Sequence, residues 1–267
     1  MYLPDIQSDQ PAFAIALHKV GVQGLAFRLR LRDREQGQQE VAATASLSVN
    51  LAAHRRGAHM SRFVEVLDAW DDALGCRSMR RLLTELQRRL EATQAFADFK
   101  FSYLARRQAP VSGLSALTAY DCRVSATLDG SDLAFELGIT VPVMTVCPCS
   151  LAISDQGAHC QRALVHIQVS CRRFIWLEEL IAMAESAGSA PVYPLLKRAD
   201  EKFITELAFS HAAFVEDVAR SVASSLDTHA HVMSWKVQVE SMESIHSHNA
   251  FAFVESKLRC SPKAGEV

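Results

Sequence analysis

No apolar run in this sequence approaches the roughly 20 residues an α-helix needs to cross a bilayer. The opening stretch, Met1 to Gln10, has neither the basic nor the apolar segment of a secretion signal, so a soluble, unexported, cytoplasmic protein is expected. A basic excess is missing too: 28 Lys and Arg stand against 30 Asp and Glu, giving a formal net charge of -2 and a pI near 6.6. A nucleic-acid partner calls for a clearly basic chain or face, so none is expected. A phosphorylated small molecule needs only a few local cations and stays open. Finally, there is no cysteine framework. The 7 cysteines are odd in number and irregularly spaced, which fits a reducing compartment better than a stapled secreted domain. At 267 residues the chain can bury a substantial core without staples.

What is present is clear periodicity. Residues 12–50 alternate apolar and polar, with Leu47, Val49 and Leu51 on one face, and read as strands. From Arg62 the period changes to three and four: Phe63, Val66, Leu67 and Trp70, then Leu82, Leu83, Leu86 and Leu90. This predicts two helices broken at Gly75, with Ser61 as a candidate N-cap. Strand-like text returns at Phe99–Tyr103 and from Cys122 to Leu128, where Asp129-Gly130 signals a turn.

The second half repeats the order. Residues 132–143 and 161–169 read as strands, the latter with Ala163, Val165, Ile167 and Val169 on one face. Helical stripes follow over Trp176–Ala187 and Phe214–Leu226, separated by a loop marked by Pro191 and Pro194. Two more strands, around Met233–Val239 and Ala250–Val254, close the pattern. The expectation is an α+β protein with a duplicated ββααββ-like order, antiparallel sheets and helices on one face. The expected modules are 1–114 and 115–258, followed by a tail, 259–267. The halves share an order of elements and no residue motif.

Three clusters carry chemistry. Thr145-Val-Cys-Pro-Cys-Ser150 with Asp155-Gln-Gly-Ala-His159 places thiols and an imidazole in a loop after a strand. Thiolate, imidazole and carboxylate are the ligands of zinc and related divalent ions. Cys147 and Cys149 point opposite ways if extended, so one cysteine, Cys147, is the better ligand candidate. Lys197-Arg-Ala-Asp-Glu-Lys202 reads as a solvated surface unless Glu201 supplies a carboxylate ligand. Glu243-Ser-Ile-His-Ser-His248 puts His246 and His248 on one side of an extended segment, where they suit proton transfer. Glu216 either complements the N-terminus of its helix or grips a guanine edge, whose N1–H and 2-amino donors match a carboxylate. Arg62 is a candidate phosphate ligand.

Together, Cys147-Pro-Cys-Ser150, Gly157-Ala-His159, Asp200-Glu-Lys202, Phe214-Val-Glu-Asp217, Glu243-Ser-Ile-His-x-His248 and Gly57-Ala-His-Met-Ser-Arg-Phe63 resemble the type IB GTP cyclohydrolase I family, over roughly Val20 to Val254. The sequence departs from the family pattern at Ala52-Ala-His-Arg-Arg56, where a leucine-proline turn and a lysine are expected. The resemblance implies tandem tunnelling-fold modules in a homotetramer with active sites at subunit interfaces. It implies a divalent metal (zinc, manganese or iron) on Cys147, His159 and Glu201, with Cys147 also counted in the catalytic set. It implies Glu216 on the guanine and Glu243 and His246 at the reacting end, Glu243 being open to a ligand role, with His248 beside them. GTP would be hydrolysed to 7,8-dihydroneopterin triphosphate and formate, the first step toward tetrahydrofolate and other pterins. Arg62, Arg198 and Lys202 are candidates for the triphosphate. Two alternatives share the fold or the site: a nitrile reductase with a nucleophilic cysteine and no metal, and a non-catalytic pterin- or metal-binding module. The combination of His159, Glu201 and His246 favours hydrolysis.

Overall fold

The alternating stretches fold as long strands in the computed structural model, which describes residues 6–256. The chain forms two units: one runs to Ser102 and includes Arg123–Glu136, and the other takes Tyr103–Cys122 and the chain from Leu137 onward. The expected tail, 259–267, lies outside the described residues. No helix among the described residues is long and apolar enough to cross a membrane.

The first unit is built on β1 (Leu17–Asp33) and β2 (Gly37–Leu51), an antiparallel hairpin. Its turn is set by Asp33, whose carboxylate accepts the backbone N–H groups of Glu35 and Gln36 at 2.9 and 2.7 Å. Every second residue of β2 from Val41 to Leu51 is buried, as its alternation predicts. Against this hairpin lie α1 (Met60–Asp68) and α2 (Cys76–Leu90). Phe63, Val66 and Leu67 of α1 and Leu82, Leu83, Leu86 and Leu90 of α2 are the buried stripes. Ser61 is not the N-cap of α1; that position is His59, which makes no side-chain cap, and Ser61 is exposed in the first turn. Trp70 lies just past α1 and closes an aromatic group with Phe27 and Phe99, at centroid separations of 5.6–6.1 Å. The divergent loop at 52–56 is closed by the Arg55 N–H on the Ala52 carbonyl at 3.0 Å, and the Arg55 guanidinium pairs with Glu91. Residues of β3 (Gln94–Gln108), β4 (Ser115–Asp129) and β5 (Asp132–Val146) continue the strand order β1-β2-β3-β4-β5.

The second unit contains the remaining parts of those three strands, then α3 (Pro148–Ile153), β6 (Cys160–Cys171), α4 (Leu177–Ala187) and β7 (Ala190–Pro191). After these come α5 (Arg198–Ser210), α6 (Val215–Thr228), β8 (Val232–Ser241) and β9 (Ala250–Glu255). Strand order here is β3-β4-β5-β6-β8-β9, with the two residues of β7 paired to β5. The short β7 falls at Pro191, inside the segment expected to be loop. The segment 197–202 is exposed except for Asp200, as a solvated surface would be, but from Arg198 it forms the helix α5, which the expected loop between the two helical stripes does not include. Only Asp200, Ile204 and Ala208 of α5 are buried, so its apolar face is narrow and its charged first turn masks the period. Ile204 and Ala208 pack with Val146 and Ala190, which places α5 beneath the end of β5.

Two buried ionic groups pin this unit. Asp200 accepts the backbone N–H of Lys197, Val111 and Ser112, each at 2.8 Å, and the Ser112 hydroxyl at 2.6 Å. Burial opposes its ionisation, but these donors outweigh it and hold the carboxyl well below the usual range. Glu185 of α4 pairs with Arg107 and accepts the Tyr120 hydroxyl at 3.4 Å. Burial pushes the Glu185 carboxyl up, with Arg107 opposing it.

Leu83 is fully buried, so Leu83→Ala should cost about 2–5 kcal/mol in chemical denaturation of the protein. Burial also pushes the Cys122 thiol up to about 12. Cys122 should therefore resist alkylation in the folded protein at neutral pH and react only after denaturation, as peptide mass mapping would show.

Candidate active site

The site grows from the end of β5, where the buried strand stops being apolar. Val146 is held on both sides: its N–H donates to the Ser189 hydroxyl at 3.0 Å and its carbonyl accepts from Ala213 at 3.1 Å. Cys147 follows in extended backbone, as the residue before a proline prefers, and Pro148 begins α3 at the position where its missing N–H costs nothing. The Cys147 N–H donates to the His159 carbonyl at 3.1 Å, and its sulfur accepts the Ser150 N–H at 3.4 Å. Cysteine and histidine are thereby joined at the two ends of one closed loop. That loop returns through Gly157 at φ 119°, where a β-carbon would stand 3.2 Å from the Phe209 ring.

His159 leads into β6, and the segment after β8 comes to meet it. Antiparallel pairing of β6 with β8 sets Ala163 opposite Ser241. Gln161 and Glu243 therefore emerge side by side beyond that pair. The Gln161 side-chain oxygen lies 2.9 Å from His159 Nδ1, and its amide nitrogen lies 3.4 Å from a Glu243 oxygen. The Ser241 hydroxyl donates to the same Glu243 oxygen at 2.8 Å. The other Glu243 oxygen is 3.9 Å from His159 Nδ1, and both side chains are about nine-tenths buried, at 13% and 11% exposure. His246 meets the His159 ring edge-on at 6.5 Å and stacks on His248 at 5.4 Å.

These groups line a cavity of about 310 Å³. Cys147, His159, Glu216, Glu243, His246 and His248 all line it, so six residues singled out in four separate stretches of sequence meet at one cavity. Cys149 is exposed on α3 and does not line it. Glu201 is exposed on the first turn of α5 and is not among the lining residues. Lys202 pairs with Glu206 at 3.7 Å, and Arg198 is exposed at the start of the same helix. Arg62 belongs to the first unit and donates to the Arg89 carbonyl at 2.8 Å. Among the described residues, no three His, Cys, Asp or Glu side chains converge in metal-holding geometry. The donor types at the cavity, a thiol, imidazoles and a carboxylate, are nonetheless those a divalent transition ion takes.

Thr145, Gln161 and Ser241 also line the cavity and are not among the candidates that sequence motifs single out. A signal for them exists. Each ends a buried row at period two: Ile139-Val141-Val143-Thr145, Val169-Ile167-Val165-Ala163-Gln161, and Trp235-Val237-Val239-Ser241. A polar residue on the core-facing register of three strands marks where the core gives way to a site.

The sequence matches the family model described as Type I GTP cyclohydrolase folE2 over residues 3–252. Proteins named GTP cyclohydrolase FolE2 are similar along their whole length. That of Nitratidesulfovibrio vulgaris strain Miyazaki F is 49% identical over 257 residues, covering 96% of this chain and 99% of the relative. That of Lawsonia intracellularis is 46% identical over 258 residues, covering 97% and 100%. Among solved structures, the uricase of Arthrobacter globiformis superposes with a TM-score of 0.53 at 10% identity, over 93% of this chain and 96% of its own. A hyperthermostable urate oxidase variant from Bacillus sp. TB-90 gives 0.54 at 8% identity, over 90% and 98%. At such identity the likeness establishes the fold, the α+β tunnelling fold with tandem modules.

The loop that carries His159 depends on Gly157. Gly157→Ala should cost about 1–3 kcal/mol, from strained backbone and the Phe209 contact together. Thermal denaturation should show the loss.

Proposed function

Because this chain belongs to the type I GTP cyclohydrolase FolE2 family, we propose that the cavity at the end of β5 is where its reaction takes place. The enzyme hydrolyses GTP to dihydroneopterin triphosphate in folate biosynthesis, and its family is metal-dependent. The observation that supports this location is the meeting of the Cys147 thiol, three imidazoles and two carboxylates around one cavity. Assignment to the IB subtype, and 7,8-dihydroneopterin triphosphate with formate as the products, belong to the same reading. So does the division into modules 1–114 and 115–258, the second carrying most of the metal site.

Cys147 and His159 would hold the ion, zinc, manganese or iron, with Glu201 as third ligand and Glu243 as the alternative carboxylate already at the cavity. When bound, such an ion supplies a water acidic enough to attack near neutral pH. The chain's own groups do the rest. Glu216 accepts the guanine N1–H and 2-amino protons, a bidentate match that fixes the purine. His246 carries a proton to and from the purine nitrogen next to C8, the carbon lost as formate, and His248 backs its ring. The Glu243 carboxylate, steadied by Ser241, accepts protons at the reacting end. Arg62, Arg198 and Lys202 are the proposed cations for the triphosphate. Within one chain these three and Glu201 do not line the cavity, and a homotetramer with active sites at subunit interfaces belongs to the same reading.

Incubating metal-free protein with GTP and zinc, manganese or iron in turn should restore formate release and, after oxidation, pterin fluorescence. Cys147→Ala should abolish both. Loss of the charged contact in Glu216→Gln should lower kcat/KM about tenfold to a hundredfold. No product with any metal from a folded tetramer would sink the placement of the reaction here.

A further inference from the structure

We infer that Gln161 is a positioning residue that holds the His159 imidazole with its proton on Nδ1, leaves Nε2 as the free lone pair, and ties that choice to Glu243. This deepens the metal-site reading above and rests on it for its consequence. The constraint begins at Glu243. An ionised carboxylate only accepts hydrogen bonds. One of its oxygens takes the Ser241 hydroxyl at 2.8 Å and faces a Gln161 side-chain atom at 3.4 Å. That atom must be the amide nitrogen, because the carbonyl oxygen there would set acceptor against acceptor.

With the amide so oriented, its carbonyl faces His159 Nδ1 at 2.9 Å. With the amide in that orientation, the Ser244 hydroxyl donates to the same carbonyl at 3.4 Å. A carbonyl cannot donate, so Nδ1 carries the hydrogen. The second Glu243 oxygen, 3.9 Å from Nδ1, adds negative charge on the side where that N–H points. In the neutral ring Nε2 then bears the lone pair, the form in which an imidazole binds a metal ion.

The constraint has structural backing. Gln161 sits on β6 just before Ala163, and Ser241 and Glu243 leave β8 opposite it, so sheet register fixes the distance the amide must span. A glutamine suits this span because its amide presents an acceptor to the imidazole and a donor to the carboxylate at once. Glutamate would keep the acceptor and bring a like charge to Glu243; leucine would fill the volume and supply neither.

The test uses metal-free full-length protein, with cobalt(II) alone as the metal probe and nitrogen NMR of the histidine rings. Wild-type His159 should show the Nδ1–H tautomer. In Gln161→Leu it should show a mixture, and cobalt affinity, followed by thiolate-to-cobalt absorption, should fall about tenfold to a hundredfold. Gln161→Glu should retain the Nδ1–H tautomer. Unchanged tautomer and affinity in Gln161→Leu would overturn the proposal, as would an Nε2–H tautomer in the wild type, a measurement that stands even if the variant fails to fold. Wild-type protein that binds no cobalt would instead defeat the metal-site reading, while its tautomer still decides the role of Gln161.

Discussion

The register between β6 and β8 is the constraint on which the rest depends. Ala163 opposite Ser241 keeps Val165, Ile167, Val237 and Val239 in the core. The same register, carried two residues further, sets Gln161 beside Glu243. A slip of one residue would turn every side chain to the opposite face. It would expose the core row and separate the imidazole, amide and carboxylate in one stroke. Stability and chemistry are thus specified by the same ladder. The link from the Cys147 N–H to the His159 carbonyl extends that order one step further, to the thiol.

A second constraint acts from beneath. Asp200 is fully buried, and the groups around it are donors, three of them backbone N–H groups. It closes the first turn of α5 and holds the 111–112 loop to that turn, while its sequence neighbours Glu201 and Lys202 stay exposed. One helix turn therefore contains an internal structural carboxylate next to an outward-facing one. Charge density along the chain cannot separate these roles, because the distinction lies in which direction each side chain leaves the helix.

Periodicity carries most of the fold. Long alternating rows and three-four stripes each have a single way to bury an apolar face, so β1, β2, α2, β6, α6 and β8 are legible in the amino-acid order alone. The exceptions have physical reasons. The helix α5 buries too narrow a face to show through its charged first turn. The two residues of β7 owe their strand character to pairing with β5 and to nothing local. His59 rather than Ser61 opens α1, because propensity at a helix end yields to where the chain enters.

For the site, the sequence alone determined the inventory: the Cys147 loop, His159, Glu216 and the Glu243–His248 segment are local motifs whose side-chain chemistry is fixed by identity. The polar residues that end three buried rows belong to that inventory too, although no motif marks them. Tertiary structure alone decided the company these residues keep. Cys147, His159 and Glu243 come together because β5, β6 and β8 are neighbours in the sheet, and α6 brings Glu216 to the same cavity. Which nitrogen of His159 is free likewise follows from an amide and a carboxylate brought to it by strand pairing. Hydrogen-bond partners are a property of distance and direction in space, and a linear order of residues contains neither.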